Sequence, residues 1–138
     1  MTLYLIDKSA LARANRPAVR ERLAEVLGAD RAVTCPIVDL EMLYSARSPA
    51  EYELWRSDRR VGYENLPLTP EVGEQALAVQ RVLAARGQHR GVSLPDLLIG
   101  ACAAVHGATV LHYDADYDRI ATETKQAVEW IVPRGSVD

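Results

Sequence analysis

Cysteine is scarce: Cys35 and Cys102 are the only two in 138 residues, and both fall inside apolar stretches. That pattern argues against a disulfide framework and points to a reducing compartment with two core thiols. No run reaches the roughly 20 apolar residues that span a bilayer, and the first residues lack the basic-then-apolar order of a signal peptide. The expectation is a cytoplasmic protein with no membrane partner. Positive charge is also short, since the net charge of −3 announces no general basic surface for nucleic acid. Lysine is nearly absent, with only Lys8 and Lys125, and arginine fills every other basic position. The guanidinium fork suits phosphate, although codon preference produces the same bias. Repeats, low-complexity tracts and linkers are missing too, so the chain, 49% apolar, reads as one domain over 1–138 with a single sizeable core.

What is present is an alternation of short apolar runs and longer segments of helical period, the pattern of a parallel sheet covered by helices. Strands are predicted at 3–7, 32–35, 63–68, 108–113 and 129–132. Helices are predicted at about 9–14, 17–27, 36–47, 50–60, 70–86 and 94–106, with Gly28, Gly87 and Gly107 placed to stop three of them.

Functional groups of a parallel sheet gather at the carboxyl ends of its strands, where the strand order reverses. Asp7 closes the first strand and Asp114 the fourth, so two acids distant in sequence are expected to meet. Asp96 lies in "VSLPDLLIG", in the first turn of a helix that leads into the fourth strand. Ser93 three residues earlier makes a capping role for Asp96 a complete alternative. In "TCPIVDLEMLYSAR", Thr34 is the expected cap and Pro36 the first helical residue. Ile37, Leu40 and Tyr44 then read as a buried stripe on which Glu41 also falls, with Asp39 solvated on the far side. A carboxylate on such a stripe is costly unless it is paired or binds metal.

Asp7, Glu41, Asp96 and the pair Asp114 and Asp116 thus make four acidic stations, each at a strand end or on an adjacent helix. Like charges about 4 Å apart repel by roughly 4 kcal/mol at an effective dielectric near 20. A hard divalent cation, Mg2+ or Mn2+, answers that repulsion and suits phosphodiester hydrolysis.

In order and spacing, "LIDKSAL", "VDLEMLYSAR", "PDLLIGACAAVHGATVL" and "YDADYD" resemble the four acidic motifs of PIN-domain ribonucleases, and more closely those of VapC-type toxins. The resemblance runs from Leu3 to about Gly135. It implies a three-layer α/β/α sandwich around a parallel sheet of about five strands. It implies catalytic acids at Asp7, Glu41, Asp96, Asp114 and Asp116, with Asp7, Asp96, Asp114 and Asp116 holding Mg2+ or Mn2+. Ser9 matches the hydroxyl residue that shapes the site, Tyr117 takes the aromatic place after the last acid, and Asp118 lies outside the pattern as a solvated or capping residue. Lys8 stands where many relatives carry threonine, and either meets a carboxylate or substrate phosphate or points to solvent. The implied activity is endonucleolytic cleavage of structured RNA, transfer or ribosomal, that halts translation. The implied partners are the RNA, a cognate VapB-type antitoxin and a second copy of the chain, for which Val72, Ala76, Val79 and Leu83 supply either a dimer face or core packing. Arg13, Arg16, Arg47, Arg86 and Arg90 are the expected RNA contacts.

Three other classes compete. A phospho-acceptor domain needs an Asp after its third strand, where this chain has "NLPLTP". An aspartyl phosphatase needs a second Asp two residues after the first, where this chain has "DKS". A catalytically silent module that binds RNA or a partner is the remaining alternative, against which the intact acidic set argues.

Overall fold

The computed structural model describes residues 1–138. In chain order the elements are β1 (Tyr4–Ile6), α1 (Lys8–Leu11), α2 (Pro17–Gly28), β2 (Ala32–Thr34), α3 (Pro36–Tyr44), α4 (Pro49–Gly62), β3 (Glu64–Asn65), α5 (Pro70–Ala85), α6 (Leu94–Val105), β4 (Thr109–His112), α7 (Ala115–Glu123) and β5 (Val128–Trp130). The five strands form one parallel sheet in the order β3-β2-β1-β4-β5. The three-layer α/β/α sandwich expected from the sequence is the architecture found. From β1 the chain builds outward through β2 and β3 and then returns to lay β4 against the other side of β1. The strand order therefore reverses between β1 and β4, which is where such sheets open a crevice.

The pleat divides the core in two. Tyr4 and Ile6 point to one face, with Ala10, Val19, Leu23, Val26 and the C-terminal Ile131 and Val132. Leu5 points to the other, beneath Val38 of α3, the inner face of α5, most of α6, and Tyr117 and Ile120 of α7. Each fully buried Leu or Ile contributes about 1.5–3 kcal/mol relative to exposure, so both faces hold the short strands in register. Val72, Ala76, Val79 and Leu83 of α5 are all buried here. They pack the core of a single chain and leave no dimer face on that stripe.

Proline in the first turn starts five of the helices, α2 to α6, where its missing N–H costs nothing. Gly87 and Gly107 follow α5 and α6 at positive φ, 68° and 72°, as expected of helix-stopping glycines. After α2 that conformation falls to Asp30 at φ 57°, and Gly28 is the last helical residue.

Four local expectations change. Helix α7 was not foreseen, because its first turn is dense in acids; Asp114 caps it and accepts from the Asp116 N–H at 2.9 Å. Asp118 is not a cap, and although its side chain stays 43% exposed it is also tied down, accepting from Trp130 Nε1 at 2.9 Å. The cap of α3 is Cys35, and Thr34 ends β2. The inward stripe of α3 runs through Ile37 as expected and through Val38, Glu41 and Met42, while Leu40 and Tyr44 are 63% and 88% exposed. The helix is only nine residues long and packs through its middle, which turns Leu40 and Tyr44 out and leaves Glu41 facing in.

Candidate active site at the carboxyl edge of β1 and β4

Asp7 follows β1 and is 3% exposed. It caps the short α1, accepting from the Ser9 N–H at 3.0 Å and the Ser9 hydroxyl at 2.5 Å. Ser9 Oγ in turn accepts from the Tyr113 N–H at 2.9 Å. One small hydroxyl residue thus ties the end of β1 to the end of β4, and Thr at the same place would add a methyl group to that joint.

Asp96 is 6% exposed in the first turn of α6. Ser93 Oγ accepts from the Asp96 N–H at 3.2 Å, so the cap on α6 is made as expected. The reciprocal bond is not made by Asp96: the Ser93 N–H donates to Asp116 Oδ2 at 3.3 Å. Asp96 is left free of capping duty and faces the other acids. One carboxylate oxygen each from Asp96, Asp114 and Asp116 lies within 4.8 Å of the others.

Glu41 reaches the same place from α3. Asp7, Lys8, Ser9, Glu41, Ser93, Asp96, Asp114 and Asp116 line one open hollow of about 320 Å3. The structure thus brings together all five acids singled out from the sequence, with Asp96, Asp114 and Asp116 converging most tightly. Lys8 lines the hollow rather than standing apart from it, and favours the charged form of Glu41 without an ion pair to any acid.

No lysine, arginine or histidine forms an ion pair with any of these five carboxylates. The consequence is electrostatic strain. Burial, followed by the charge of Asp7, pushes the Asp96 carboxyl up to about 8. Burial, then Asp7, also raises Glu41, and its Oε1 is buried without a hydrogen-bond partner. Such groups are stabilised by a positive charge or by a proton. The donor set, all hard oxygen, and the convergence of three carboxylates within reach of one ion fit Mg2+ or Mn2+, which bind through a few carboxylates and retain water.

Two supporting groups escape a motif search. The Tyr117 hydroxyl, wholly buried, donates to Asp7 Oδ1 at 2.9 Å and lies 3.2 Å from Asp96 Oδ1. It bridges two acids on different elements, and their charge and its burial raise its own pKa. His112 Nδ1 accepts from the Asp114 N–H at 3.1 Å, which fixes the turn that presents Asp114 and places the ring proton on Nε2. Burial lowers the His112 pKa, and the ring packs 4.9 Å from both Tyr117 and Trp130. The aromatic position of Tyr117 was legible in the sequence; its hydroxyl bridge required the fold.

The expected RNA-binding arginines lie apart from this hollow, and four have partners of their own. Arg13 donates to the Ser9 and Asp138 carbonyls, Arg16 pairs with Asp138, Arg47 with Glu51 and Arg86 with Glu123. Arg90 is exposed and unpaired.

Comparison with known proteins agrees with this geometry. The PIN domain family profile matches residues 4–123. Ribonuclease VapC21 of Mycobacterium tuberculosis is 43% identical over 135 residues, covering 98% of each chain. Ribonuclease VapC51 of the same organism is 43% identical over 135 residues, covering 98% of this chain and 97% of its own. Among solved structures, VapBC2 from Rickettsia felis bound to a promoter DNA fragment superposes with TM-score 0.76 at 15% identity, over 93% of this chain and 98% of that one. FitAcB from Neisseria gonorrhoeae gives 0.73 at 17% identity, over 94% and 98%. At those identities the two structures speak to the fold alone.

Proposed function

From the premise that the chain belongs to the PIN-domain family, and within it to the VapC ribonucleases, we propose that it is a Mg2+- or Mn2+-dependent endoribonuclease. The observation that carries the reading is the convergence of Asp96, Asp114 and Asp116 beside buried Asp7 and Glu41, with no protein cation to neutralise them. Asp7, Asp96, Asp114 and Asp116 would hold the ion. A bound ion would supply positive charge for the scissile phosphodiester and lower the pKa of an attacking water.

The chain's own residues do the positioning. Asp114 and Asp116 are held by the first turn of α7, Asp96 by the Ser93 cap, and Asp7 by Ser9 and Tyr117. Glu41, whose pKa is raised by burial and then by Asp7, faces the hollow and is placed to exchange a proton with water or with the leaving oxygen. Lys8 sits beside it and offers a cation to substrate phosphate.

The substrate class proposed is structured RNA, transfer or ribosomal, whose cleavage stops translation. The chain acts in the cytoplasm as a single domain over 1–138, as a homodimer, and as the toxin partner of a VapB-type antitoxin; the 43% identity to the VapC21 and VapC51 ribonucleases supports that pairing. The test is cleavage of total RNA by purified protein with Mg2+ or Mn2+, beside EDTA, Asp7→Asn and Asp96→Asn. Discrete fragments lost in all three controls support the reading. No cleavage and no calorimetric metal binding would leave a catalytically silent binding module in its place.

A further inference from the structure

We infer that the hollow between α3 and α4 is a phosphate-binding subsite for the RNA backbone beside the cut. The inference rests on the ribonuclease reading above and assigns cations to the substrate track.

The acidic hollow poses a problem for an RNA nuclease. A bound ion would neutralise a phosphodiester in the site, but its neighbours along the chain would still meet the negative charge of the carboxylates around it. Cations must lie next along the path. The acidic hollow shares Lys8 and Glu41 with a second one, lined by Lys8, Leu40, Glu41 and Tyr44, and that one shares Leu40 with a third. That third hollow, about 530 Å3, contains Arg56, Arg59 and Arg60 of α4.

Its construction differs from an ordinary surface charge cluster. Arg59 is 8% exposed and is the one buried residue of α4. Its Nε donates to Asp39 Oδ1 at 2.5 Å and its Nη2 to Thr34 Oγ1 at 2.9 Å, while Nη1 has no protein acceptor. Tyr63 lies under the guanidinium, 4.6 Å from ring centre to Cζ. The fork is therefore fixed before any ligand arrives. Arg56 and Arg60 stand four residues apart on the same face of α4, and neither has an acidic partner. Like charges at that spacing weaken a helix by a few tenths of a kcal/mol, so the helix itself gains nothing from them. Arg59 and Arg60 do complement the negative end of the α4 dipole, but Arg56, a turn earlier, does not. Three guanidinia around one carboxylate, with one fork already oriented, match a phosphodiester. The exposed Tyr44 ring on the way offers a base a stacking surface.

The test measures binding without cleavage. A short fluorescein-labelled single-stranded RNA is titrated by anisotropy in EDTA at several KCl concentrations. The proteins are the unaltered chain, the double variant Arg56→Gln/Arg60→Gln, and Lys125→Gln, an exposed cation at the opposite edge of the sheet, by the amino ends of β4 and β5. Arg59 is left alone because it holds α3 to α4, and thermal melting checks that both variants fold. The double variant is expected to bind RNA on the order of tenfold more weakly. Its log affinity against log salt should flatten by about 1.4 for two phosphate contacts on a single strand. Lys125→Gln should change neither. Equal affinity and slope in the double variant, or no RNA binding by the unaltered chain, would overturn the assignment. Hexaglutamate is titrated in parallel: a loss confined to it would assign the hollow to an acidic peptide instead. Cleavage is assayed separately, so arginine-dependent binding without metal-dependent cleavage sinks the nuclease and leaves the subsite standing.

Discussion

Two charged stations sit at the carboxyl edge of the same sheet, and they are solved in opposite ways. Beside β2, Arg59 and Asp39 form an ion pair at 2.5 Å with Thr34 bonded to both, so burial and charge are answered within the protein. Beside β1 and β4, five carboxylates share one hollow with no ion pair; the Ser9 and Tyr117 hydroxyls are the side-chain donors there, and burial with the charge of Asp7 pushes the Asp96 carboxyl up to about 8. The Arg59–Asp39 pair is balanced as it stands, with Arg56 and Arg60 beside it unpaired. The second station would be balanced by a cation, and that difference separates a charge met by a protein partner from charges left for a ligand. Sequence reading alone took Asp39 for a solvated residue, because its partner lies 20 positions away on another helix.

The largest effect should come from removing a ligand at the open station. Asp96→Asn is expected to cut RNA cleavage by more than about a hundredfold and to abolish high-affinity Mn2+ binding read by EPR. The same substitution should leave the metal-free protein at least as stable near pH 8 as the unaltered chain, because it deletes a buried carboxylate rather than a satisfied pair. A metal-free protein destabilised by several kcal/mol would erase the contrast.

At the closed station the sign reverses. Arg59→Leu leaves Asp39 and Thr34 facing each other without their cation, at a cost of about 3 kcal/mol in urea unfolding; Asp39 is 27% exposed, which keeps the cost at the low end for a buried pair. Adding Asp39→Leu should recover much of the loss. If the single and double variants were equally unstable, packing rather than the ion pair would be what holds α3 to α4.

Next in size is the pH dependence of the metal-free chain. Asp96 titrates at about 8 in the fold against its ordinary 3.8. Between those values the folded state holds a proton that the unfolded state has released, so stability falls as pH rises from about 5 to 8. Glu41, also raised, adds to the fall. A loss of at least about 1 kcal/mol across that window is expected, given about 1.4 kcal/mol per pH unit for one full proton. Asp96→Asn should flatten it. Mn2+ affinity should climb over the same range, since a ligand must lose its proton to bind.

How much of this was legible beforehand follows from the range of each interaction. The five strands, the meeting of Asp7 with Asp114, and the inward turn of Glu41 all follow from local period plus the rule that parallel sheets work at their carboxyl ends. Helix α7 was hidden because acids at 114, 116 and 118 mask its period, and the cap that starts it is itself one of those acids. On α3 the expected stripe holds at Ile37 and Glu41 and fails at Leu40 and Tyr44, because a nine-residue helix gives too few turns to fix its phase. The Arg59–Asp39 pair and the Tyr117 bridge join residues 20 and 110 positions apart, and no local pattern carries them.

The smallest expected effect tests whether that bridge belongs to the open station or to the core. Tyr117 is wholly buried among apolar neighbours, so its ring alone accounts for its place in the packing. Tyr117→Phe keeps the ring and deletes one oxygen. Were the hydroxyl only a satisfied core group, stability would drop by about 1 kcal/mol and nothing else would move. The bond to Asp7 and the close approach to Asp96 argue for more. A single hydroxyl proton given to Asp7 fixes which oxygen of each carboxylate stays free, and its removal lets both groups turn. Mn2+ affinity is then expected to fall by about tenfold, as when a group supporting a metal ligand is lost. Because Asp96 also loses a polar neighbour in a buried site, the pH at which affinity levels off should move upward. Unchanged Mn2+ affinity with an unchanged pH profile would place Tyr117 with the core, and Ser9 would then be the sole side-chain hydroxyl holding Asp7 in position.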